Sequence, residues 1–146
     1  MPIKNCKFGK NVKIPYPDLV NLYDCKIGDN SFIGPFVEIQ KGVKIGRNCR
    51  IQSHAFICEG VAIEDDVFVG HGVTFTNCLM PACRKEWKMK RTLVKKHTAI
   101  GSNATILPVA IGSNTLIGAG AVITKDIKDF AVVAGNPAKI LRYLSK

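Results

Sequence analysis

One spacing dominates this sequence: an isoleucine, valine or phenylalanine recurs at every sixth residue through the middle of the chain. These lead residues are Ile27, Ile33, Ile39, Ile45, Ile51, Ile57, Ile63, Val69 and Phe75. An α-helix has a period of about 3.6 residues and an ordinary strand a period of about two, so neither produces this spacing. A hexapeptide repeat predicts a parallel β-helix, in which three hexapeptides form one triangular coil and the lead residues stack inward. An antiparallel sandwich has no physical reason to keep a strict six.

The 146 residues form a single predicted domain, because the repeat or its traces run through most of the chain. Residues 1–26 are expected to form a capping coil, with Phe8, Ile14 and Val20 or Leu22 as weaker lead positions. Glycine and asparagine clusters such as Gly28-Asp29-Asn30 fit corners that need a positive φ.

The repeat is broken at three further places. Residues 78–93 are predicted to form an inserted loop, which holds Trp87 and several basic residues, and long loops of this kind are usually functional. The step from Ile106 to Ile111 is one residue short, so one corner should be tighter there. In the C-terminal segment, residues 135–146, the pattern after Pro137 predicts a short amphipathic helix over 138–144.

Composition narrows the class of partner. The formal net charge of +10 favours an anionic partner. The basic residues are spread along the chain without an aromatic platform for stacking bases, so phosphate-bearing small molecules are favoured over nucleic acid. No apolar run is long enough to span a membrane, and the polar first residues predict no signal peptide. The six cysteines show no C-x-x-C pair, so we expect a reduced, cytoplasmic protein.

Two stretches near the C-terminus resemble a known family. They are Gly118-Ala119-Gly120-Ala121-Val122-Ile123-Thr124-Lys125-Asp126-Ile127 and Val133-Ala134-Gly135-Asn136-Pro137-Ala138-Lys139. Both are similar to the ending of the hexapeptide-repeat acyltransferases that use acyl-coenzyme A. The resemblance covers residues 20–146. It implies an all-β, left-handed parallel β-helix and a homotrimer, with three active sites in the grooves between subunits.

Two further stretches resemble one subfamily, and they are Ile51-Gln52-Ser53-His54-Ala55-Phe56-Ile57-Cys58-Glu59-Gly60-Val61 and Glu64-Asp65-Asp66-Val67-Phe68-Val69-Gly70-His71-Gly72-Val73. They are similar to N-acetyltransferases that act on dTDP- or UDP-linked 3-amino sugars for surface polysaccharide synthesis. The maltose and galactoside acetyltransferases resemble the chain less, because their loop histidine is missing from residues 76–81. Asn77 is followed by Cys78, where the amino-sugar enzymes often have aspartate, so the particular sugar stays open.

The resemblance implies an acetyl transfer from acetyl-CoA to an amine, with no metal. Residues eighteen apart should stack at one corner, which puts Glu59 and Asn77 side by side as candidates for holding the amino sugar. His71 should lie above Ser53, with His54 one residue further round. Either histidine is a candidate general base, because imidazole ordinarily titrates near neutral pH. A proton shuttle through the substrate and water is the alternative.

For the coenzyme, the resemblance implies five binding residues, which are Ala119, Thr124, Lys125, Lys139 and Arg142. Ala119 would offer backbone contacts to the pantetheine arm. Arginine grips phosphate as a fork and lysine acts as a point charge, so the cationic residues would face the coenzyme's phosphates.

Three other functions use this fold or a similar one. A sugar O-acetyltransferase needs the same coenzyme and a different acceptor. A γ-type carbonic anhydrase needs three zinc-binding histidines, two of them close in sequence, and the spacing of His54, His71 and His97 does not fit. A non-catalytic or ice-binding scaffold favours flat, threonine-rich faces without a long loop.

Overall fold

A computed structural model describes residues 2–79 and 88–145 of the chain. These residues form a parallel β-helix, as the repeat predicts, because strands eighteen residues apart lie side by side. Ile27 pairs with Ile45, and Ile45 pairs with Ile63, so the lead residues stack in register. Residues 80–87 of the predicted loop, Trp87 among them, lie outside the described residues. Among the described residues, no helix is long and apolar enough to cross a membrane.

Three sheets form the sides of the triangle, and within each sheet the strands lie side by side in chain order. Sheet A contains β1 (Ile3–Lys4), β3 (Asn21–Tyr23), β6 (Glu38–Ile39), β9 (Phe56–Ile57), β12 (Thr74–Phe75), β15 (Thr105–Ile106) and β18 (Val122–Ile123). Sheet B contains β2 (Lys7–Phe8), β4 (Lys26–Ile27), β7 (Lys44–Ile45), β10 (Val61–Ile63), β13 (Thr92–Val94) and β16 (Ala110–Ile111). Sheet C contains β5 (Phe32–Ile33), β8 (Arg50–Ile51), β11 (Phe68–Val69), β14 (Ala99–Ile100), β17 (Leu116–Ile117), β19 (Ala131–Gly135) and β20 (Ala138–Tyr143). One 3-10 turn spans Pro17–Leu19.

The core is the stack of lead residues together with a second inward column of small side chains. Ile33, Ile39 and Ile57 are completely buried, and so are Val43 and Cys49 of the second column. Burying one isoleucine side chain contributes about 1.5–3 kcal/mol, so the stack supplies a large share of the stability. In the capping coil, Phe8 pairs with Ile27 and Leu22 pairs with Ile39, which extends the same stack.

The glycines that follow lead residues are explained by close stacking and not by a positive φ. A Cβ on Gly28 would lie 2.6 Å from the carbonyl carbon of Gly46 in the next coil. The positive φ is found two residues later, at Asn30 with 61° and Asn114 with 57°. The predicted positive φ is therefore confirmed at both asparagines. Glycine is required for another reason, because a side chain there would collide with the neighbouring coil.

The breaks in the repeat keep the stack intact. Val69 pairs with Ile51 on one side and with Ile100 on the other, so the insertion enlarges one coil without shifting its strands. β13 begins at Thr92, which is two residues inside the predicted loop. Ile106 and Ile111 are both fully buried, so the short step between them tightens a corner as predicted.

The predicted C-terminal helix over 138–144 is wrong. Ala138–Tyr143 forms β20, which pairs antiparallel with β19 and extends sheet C. Gly135, with φ of 98°, turns the chain between the two strands. The free edge of β19 offers hydrogen-bond partners that an isolated short helix lacks, and helices of this length are marginal in water.

Candidate active site

Three corners join the sheets, and they divide the predicted site residues among themselves. The A–B corner consists of residues 40–43, 58–60, 76–91, 107–109 and 124–126, of which 80–87 are not described. The B–C corner consists of 28–31, 46–49, 64–67, 95–98, 112–115 and 128–130. The C–A corner consists of 34–37, 52–55, 70–73, 101–104 and 118–121. Glu59 and Asn77 lie at the A–B corner, and His54 and His71 lie at the C–A corner, on the opposite edge of sheet A.

Glu59 and Asn77 are in direct contact, as their spacing predicts. The Asn77 side-chain amide donates to the Glu59 backbone carbonyl at 2.9 Å. From the coil on the other side, Gln40 Oε1 accepts from the Glu59 backbone N–H at 3.1 Å. The Glu59 backbone is therefore held from both sides. Asn77 also anchors the insertion, because its carbonyl accepts from the Lys90 N–H at 2.9 Å.

Gln40, Glu59 and Asn77 form a ladder of polar residues on three successive coils. The Glu59 carboxylate makes no hydrogen bond to the other two among the described residues. Within the described residues, its one polar contact is with Lys41 Nζ at 4.0 Å. A half-exposed ion pair of that length contributes little, about 0–1 kcal/mol. Gln40 and Asn77 therefore fix the backbone of Glu59 but not its carboxylate.

A groove of about 660 Å³ lies beside this ladder. Its walls combine polar groups, Glu59 and Asn77, with the apolar side chains of Phe56, Leu79 and Leu107. Such a mixture suits a sugar, which has hydroxyl edges and apolar ring faces. Cys58 also lines the groove, but burial raises the pKa of its thiol to about 11. The Cys58 thiol is therefore protonated near neutral pH and is a poor nucleophile.

The two histidines differ in how they are held. His71 Nδ1 lies 2.9 Å from the Ser53 hydroxyl in the coil below, so its ring has a hydrogen-bonded orientation. The His54 ring instead packs against the Phe36 ring, with 4.9 Å between ring centres, on a backbone with φ of 66°. Fixing one ring nitrogen leaves Nε2 of His71 available for proton transfer, so His71 is the better candidate base.

His97 lies at the B–C corner, where Nδ1 is 3.8 Å from the Asp66 carboxylate. It is therefore on a different corner from His54 and His71. In the described part of the chain, no three histidine, cysteine, aspartate or glutamate side chains are grouped so that they could hold a metal ion.

The five predicted coenzyme residues are exposed and fall in three places. Ala119 lies at the C–A corner, directly above Gly101, where a Cβ would come within 2.5 Å of the Ala119 nitrogen. Its neighbour Gly120 has open space around it, so the backbone here is accessible to a ligand. Thr124 and Lys125 lie at the A–B corner, and Lys139 and Arg142 lie on β20.

The structure adds residues that the sequence analysis did not single out. Gln40 supports Glu59, and Phe36 supports His54. Phe36 precedes His54 by eighteen residues, so the rule that paired Glu59 with Asn77 also predicts this contact. Gln40 precedes Glu59 by nineteen, and its long side chain bridges to the neighbouring stack, which the spacing alone does not show.

A parallel β-helix built on a hexapeptide repeat defines the class as a hexapeptide-repeat protein. Two family models agree: "Bacterial transferase hexapeptide (six repeats)" matches residues 24–59, and "Hexapeptide repeat of succinyl-transferase" matches residues 42–77 and 96–125. The chain belongs to the hexapeptide-repeat acyltransferase family.

Curated relatives include the bifunctional protein GlmU of Thermotoga petrophila, which is 30% identical over 96% of this chain. The chain spans 33% of that relative's length. The galactoside O-acetyltransferase of Escherichia coli is 33% identical over 82% of this chain and 64% of its own length. Among solved structures, a mutant of AntD, an N-acyltransferase from Bacillus cereus in complex with dTDP and coenzyme A, superposes with a TM-score of 0.75. It is 21% identical and the match covers 96% of this chain and 84% of AntD, which shows a shared fold.

Proposed function

We propose that the protein transfers an acetyl group from acetyl-CoA to the amine of a dTDP- or UDP-linked 3-amino sugar used in surface polysaccharide synthesis. The observation that carries the proposal is the Glu59 carboxylate, free in the groove while Gln40 and Asn77 hold its backbone. A carboxylate so placed suits an amine better than a hydroxyl, because it can accept two hydrogen bonds and balance a developing positive charge.

Residues of two corners, A–B and C–A, take part in the proposed reaction. The amine nitrogen attacks the thioester carbonyl carbon, the carbon–nitrogen bond forms, and the carbon–sulfur bond breaks to release coenzyme A as a thiolate. Glu59 orients the amine, and the imidazole of His71 takes the proton that the nitrogen loses and returns it to the thiolate. The high pKa of the Cys58 thiol favours direct transfer over an acyl-cysteine intermediate.

The proposal includes a homotrimer, because one chain carries the two halves of the site on opposite edges of sheet A. Glu59 belongs to the A–B corner, and His71 and Ala119 belong to the C–A corner. A second copy that places its C–A corner against the first copy's A–B corner would complete the site, and three copies close the ring. Light scattering should give three times the chain mass of 15.9 kDa, and a monomer mass at micromolar concentration would contradict this arrangement.

Coenzyme binding by Ala119, Thr124, Lys125, Lys139 and Arg142 is part of the same proposal. It is supported by the exposed backbone near Gly120 and by the three exposed cations. Lys125→Ala and Arg142→Ala should raise the KM for acetyl-CoA more than the KM for the sugar. Equal effects on both substrates would count against this assignment. We also place the reaction in the cytoplasm, since the buried cysteines Cys25, Cys49 and Cys58 are free thiols.

A sugar O-acetyltransferase is the second candidate, favoured by the match to galactoside O-acetyltransferase at 33% identity. One experiment separates the two functions and also tests for a non-catalytic scaffold. Thiol release from acetyl-CoA is measured with dTDP- and UDP-linked 3-amino sugars, and in parallel with the same sugars bearing a hydroxyl in place of the amine. We expect release with the amines only. Release with the hydroxyl sugars would favour O-acetylation, and no release with either set would favour a scaffold.

A further inference from the structure

A second, smaller groove of about 290 Å³ lies on the outer face of sheet B, across the A–B corner from Glu59. Its floor includes the outward side chains of Ala62 and Leu93, and its rim includes Gly42 and Gly60. Gly60 directly follows Glu59, so the two grooves meet at the same corner. A ligand that occupies one groove can therefore extend into the other.

Two cations line the second groove, and no carboxylate among the described residues does. They are Lys44 on β7 and Arg91 at the end of the insertion, and both are exposed. Within the described residues, neither forms an ion pair. This distinguishes Lys44 from Lys41 and Arg47, which belong to the same coil and lie 4.0 Å and 3.4 Å from Glu59 and Asp65.

The stacking of the coils places Lys44 next to other positive charges, which lowers the stability of sheet B. Lys44 pairs in register with Lys26, which pairs in register with Lys7, so three ammonium-bearing side chains lie along one line of the sheet. Like charges directly opposite each other on neighbouring strands destabilise a sheet. Beyond Lys44, the same column continues with Ala62, which has no charge to compensate them. An anionic ligand would supply the missing compensation.

The backbone at the rim gives such a ligand room. Gly42 has φ of 79°, and a Cβ there would meet nothing within 4 Å. Gly60 has φ of 98°, and a Cβ there would lie 3.1 Å from the Met89 sulfur. The rim is therefore free of side chains on the Gly42 side and closed by Met89 on the other, which leaves the groove open toward Lys44.

We infer that this groove binds a diphosphate ester, and that in the proposed reaction the ester is the diphosphate of the nucleotide-linked sugar. This inference rests on the proposed function. Arg91 can grip two phosphate oxygens as a fork, and Lys44 adds a point charge. The sugar attached to the diphosphate then passes the open Gly42 side of the corner to reach Glu59, whose carboxylate lies 4.0 Å from the Lys41 ammonium on that side. Coenzyme A also carries a diphosphate, so the two sources must be separated by experiment.

The test is titration calorimetry with dTDP, UDP and coenzyme A, each alone, on the wild-type protein and on Lys44→Ala, Arg91→Ala and Lys7→Ala. Lys7 is the matched control, because it belongs to the same column of sheet B but lies outside the groove. We expect Lys44→Ala and Arg91→Ala to weaken binding of at least one nucleoside diphosphate about tenfold or more, with coenzyme A unaffected. Lys7→Ala should change neither, and no melting temperature should fall, because all three side chains are exposed and removing Lys7 or Lys44 relieves like-charge repulsion in the column.

Four results would overturn the inference: wild-type protein that binds neither dTDP nor UDP, nucleoside diphosphate binding that both groove variants leave unchanged, a loss confined to coenzyme A, or an equal loss in Lys7→Ala. Failure of the proposed function looks different. A protein that binds UDP or dTDP through Lys44 and Arg91, yet acetylates no amino sugar, would keep the diphosphate site and reject the reaction.

Discussion

Acidic side chains serve different purposes at the B–C corner and at the A–B corner beside the insertion. At the B–C corner, carboxylates accept hydrogen bonds from backbone N–H groups of the neighbouring coil. Asp29 accepts from Lys10 at 2.8 Å, Asp65 from Arg47 at 2.7 Å, and Asp129 from Ser113 at 2.8 Å. At the A–B corner, Asp126 accepts from the Ala110 N–H in the same way, at 2.9 Å, but at the level of Glu59 amide side chains hold the backbone and leave the carboxylate without a hydrogen bond among the described residues. A carboxylate whose neighbours are held by neutral amides can offer its charge to a ligand.

The hydroxyl groups show the same contrast. At the B–C corner, Ser31 donates to the Gly46 carbonyl, Thr98 donates to the Gly112 carbonyl, and Thr115 donates to Thr98. Thr92, where the insertion returns to sheet B, is buried with a hydroxyl that has no partner among the described residues. These B–C hydroxyls are therefore bonded within the stack, whereas the Thr92 hydroxyl, at the start of β13 next to the A–B corner, is not.

The largest expected effect is a loss of turnover, which should be much greater for His71→Ala than for His54→Ala. His71→Ala should lower kcat by about 10²–10⁴-fold, which is the usual contribution of a general base. His54→Ala should stay within about tenfold of wild type, because the His54 ring packs against Phe36 and has no hydrogen-bonded orientation among the described residues. Steady-state kinetics with a nucleotide-linked amino sugar provides the comparison. If both variants stay within tenfold, the proton leaves through the substrate and water, and the C–A corner supplies no base.

The next effect contrasts Glu59 with Asp65. Glu59→Gln should lower kcat/KM for the amino sugar about ten- to a hundredfold, since a charge-assisted hydrogen bond to the amine is lost. Its melting temperature should change little. Asp65→Asn should do the reverse, with near-normal kinetics and a lower melting temperature. An unfolded Glu59→Gln protein would show that the A–B ladder is structural, and the same holds for Asn77→Ala.

The stability that Asp65 contributes at the B–C corner should depend on pH. The hydrogen bond from the Arg47 N–H lowers the pKa of Asp65 below its ordinary value of 3.8, and the Arg47 guanidinium adds to this. A lowered pKa means that the stabilisation is complete above the ordinary value and is lost as pH falls through the folded value. Thermal melts of wild type and Asp65→Asn should therefore differ at pH 7 and converge in strong acid. A gap that persists at low pH would point to packing and not to charge.

The smallest effect is an increase in stability. Thr92→Val keeps the shape of the side chain and removes the unpaired hydroxyl, so it should raise the free energy of unfolding by about 1 kcal/mol. Thr115→Val is the matched control, since it removes a hydroxyl that bonds Thr98 at 3.1 Å. The control should be destabilised, as measured by chemical denaturation. A destabilised Thr92→Val would mean that the Thr92 hydroxyl has a partner in solution.

The sequence predicts the coils well because a strict repeat leaves one physical solution. Each lead residue is buried against its counterpart eighteen positions away, and the same addition predicts that Glu59 contacts Asn77 and that His71 contacts Ser53. The repeat does not predict the C-terminal strand β20, because the conformation of this segment is set by the free edge of β19. Gly135-Asn136-Pro137 is nevertheless a turn signal, and it fits a hairpin better than the start of a helix.

The site is predicted less completely, because spacing identifies neighbours within a stack but not which atoms they use. The spacing predicts that Glu59 and Asn77 are neighbours, but not that the Asn77 amide nitrogen donates to the Glu59 carbonyl. The unpaired state of Lys44 cannot be read from the sequence either. It depends on the absence of a carboxylate from the described lining of the groove beside Lys44, and this follows from the three-dimensional register.

The most direct test of the account is a crystal structure of the protein with coenzyme A and a dTDP- or UDP-linked 3-amino sugar. The account predicts that the sugar amine lies within hydrogen-bond distance, about 2.7–3.2 Å, of the Glu59 carboxylate. It also predicts that the thiol of coenzyme A reaches this amine from the C–A corner of a neighbouring copy. An amine bound at the B–C corner, or a Glu59 carboxylate that contacts only Lys41 and solvent in the complex, would contradict it.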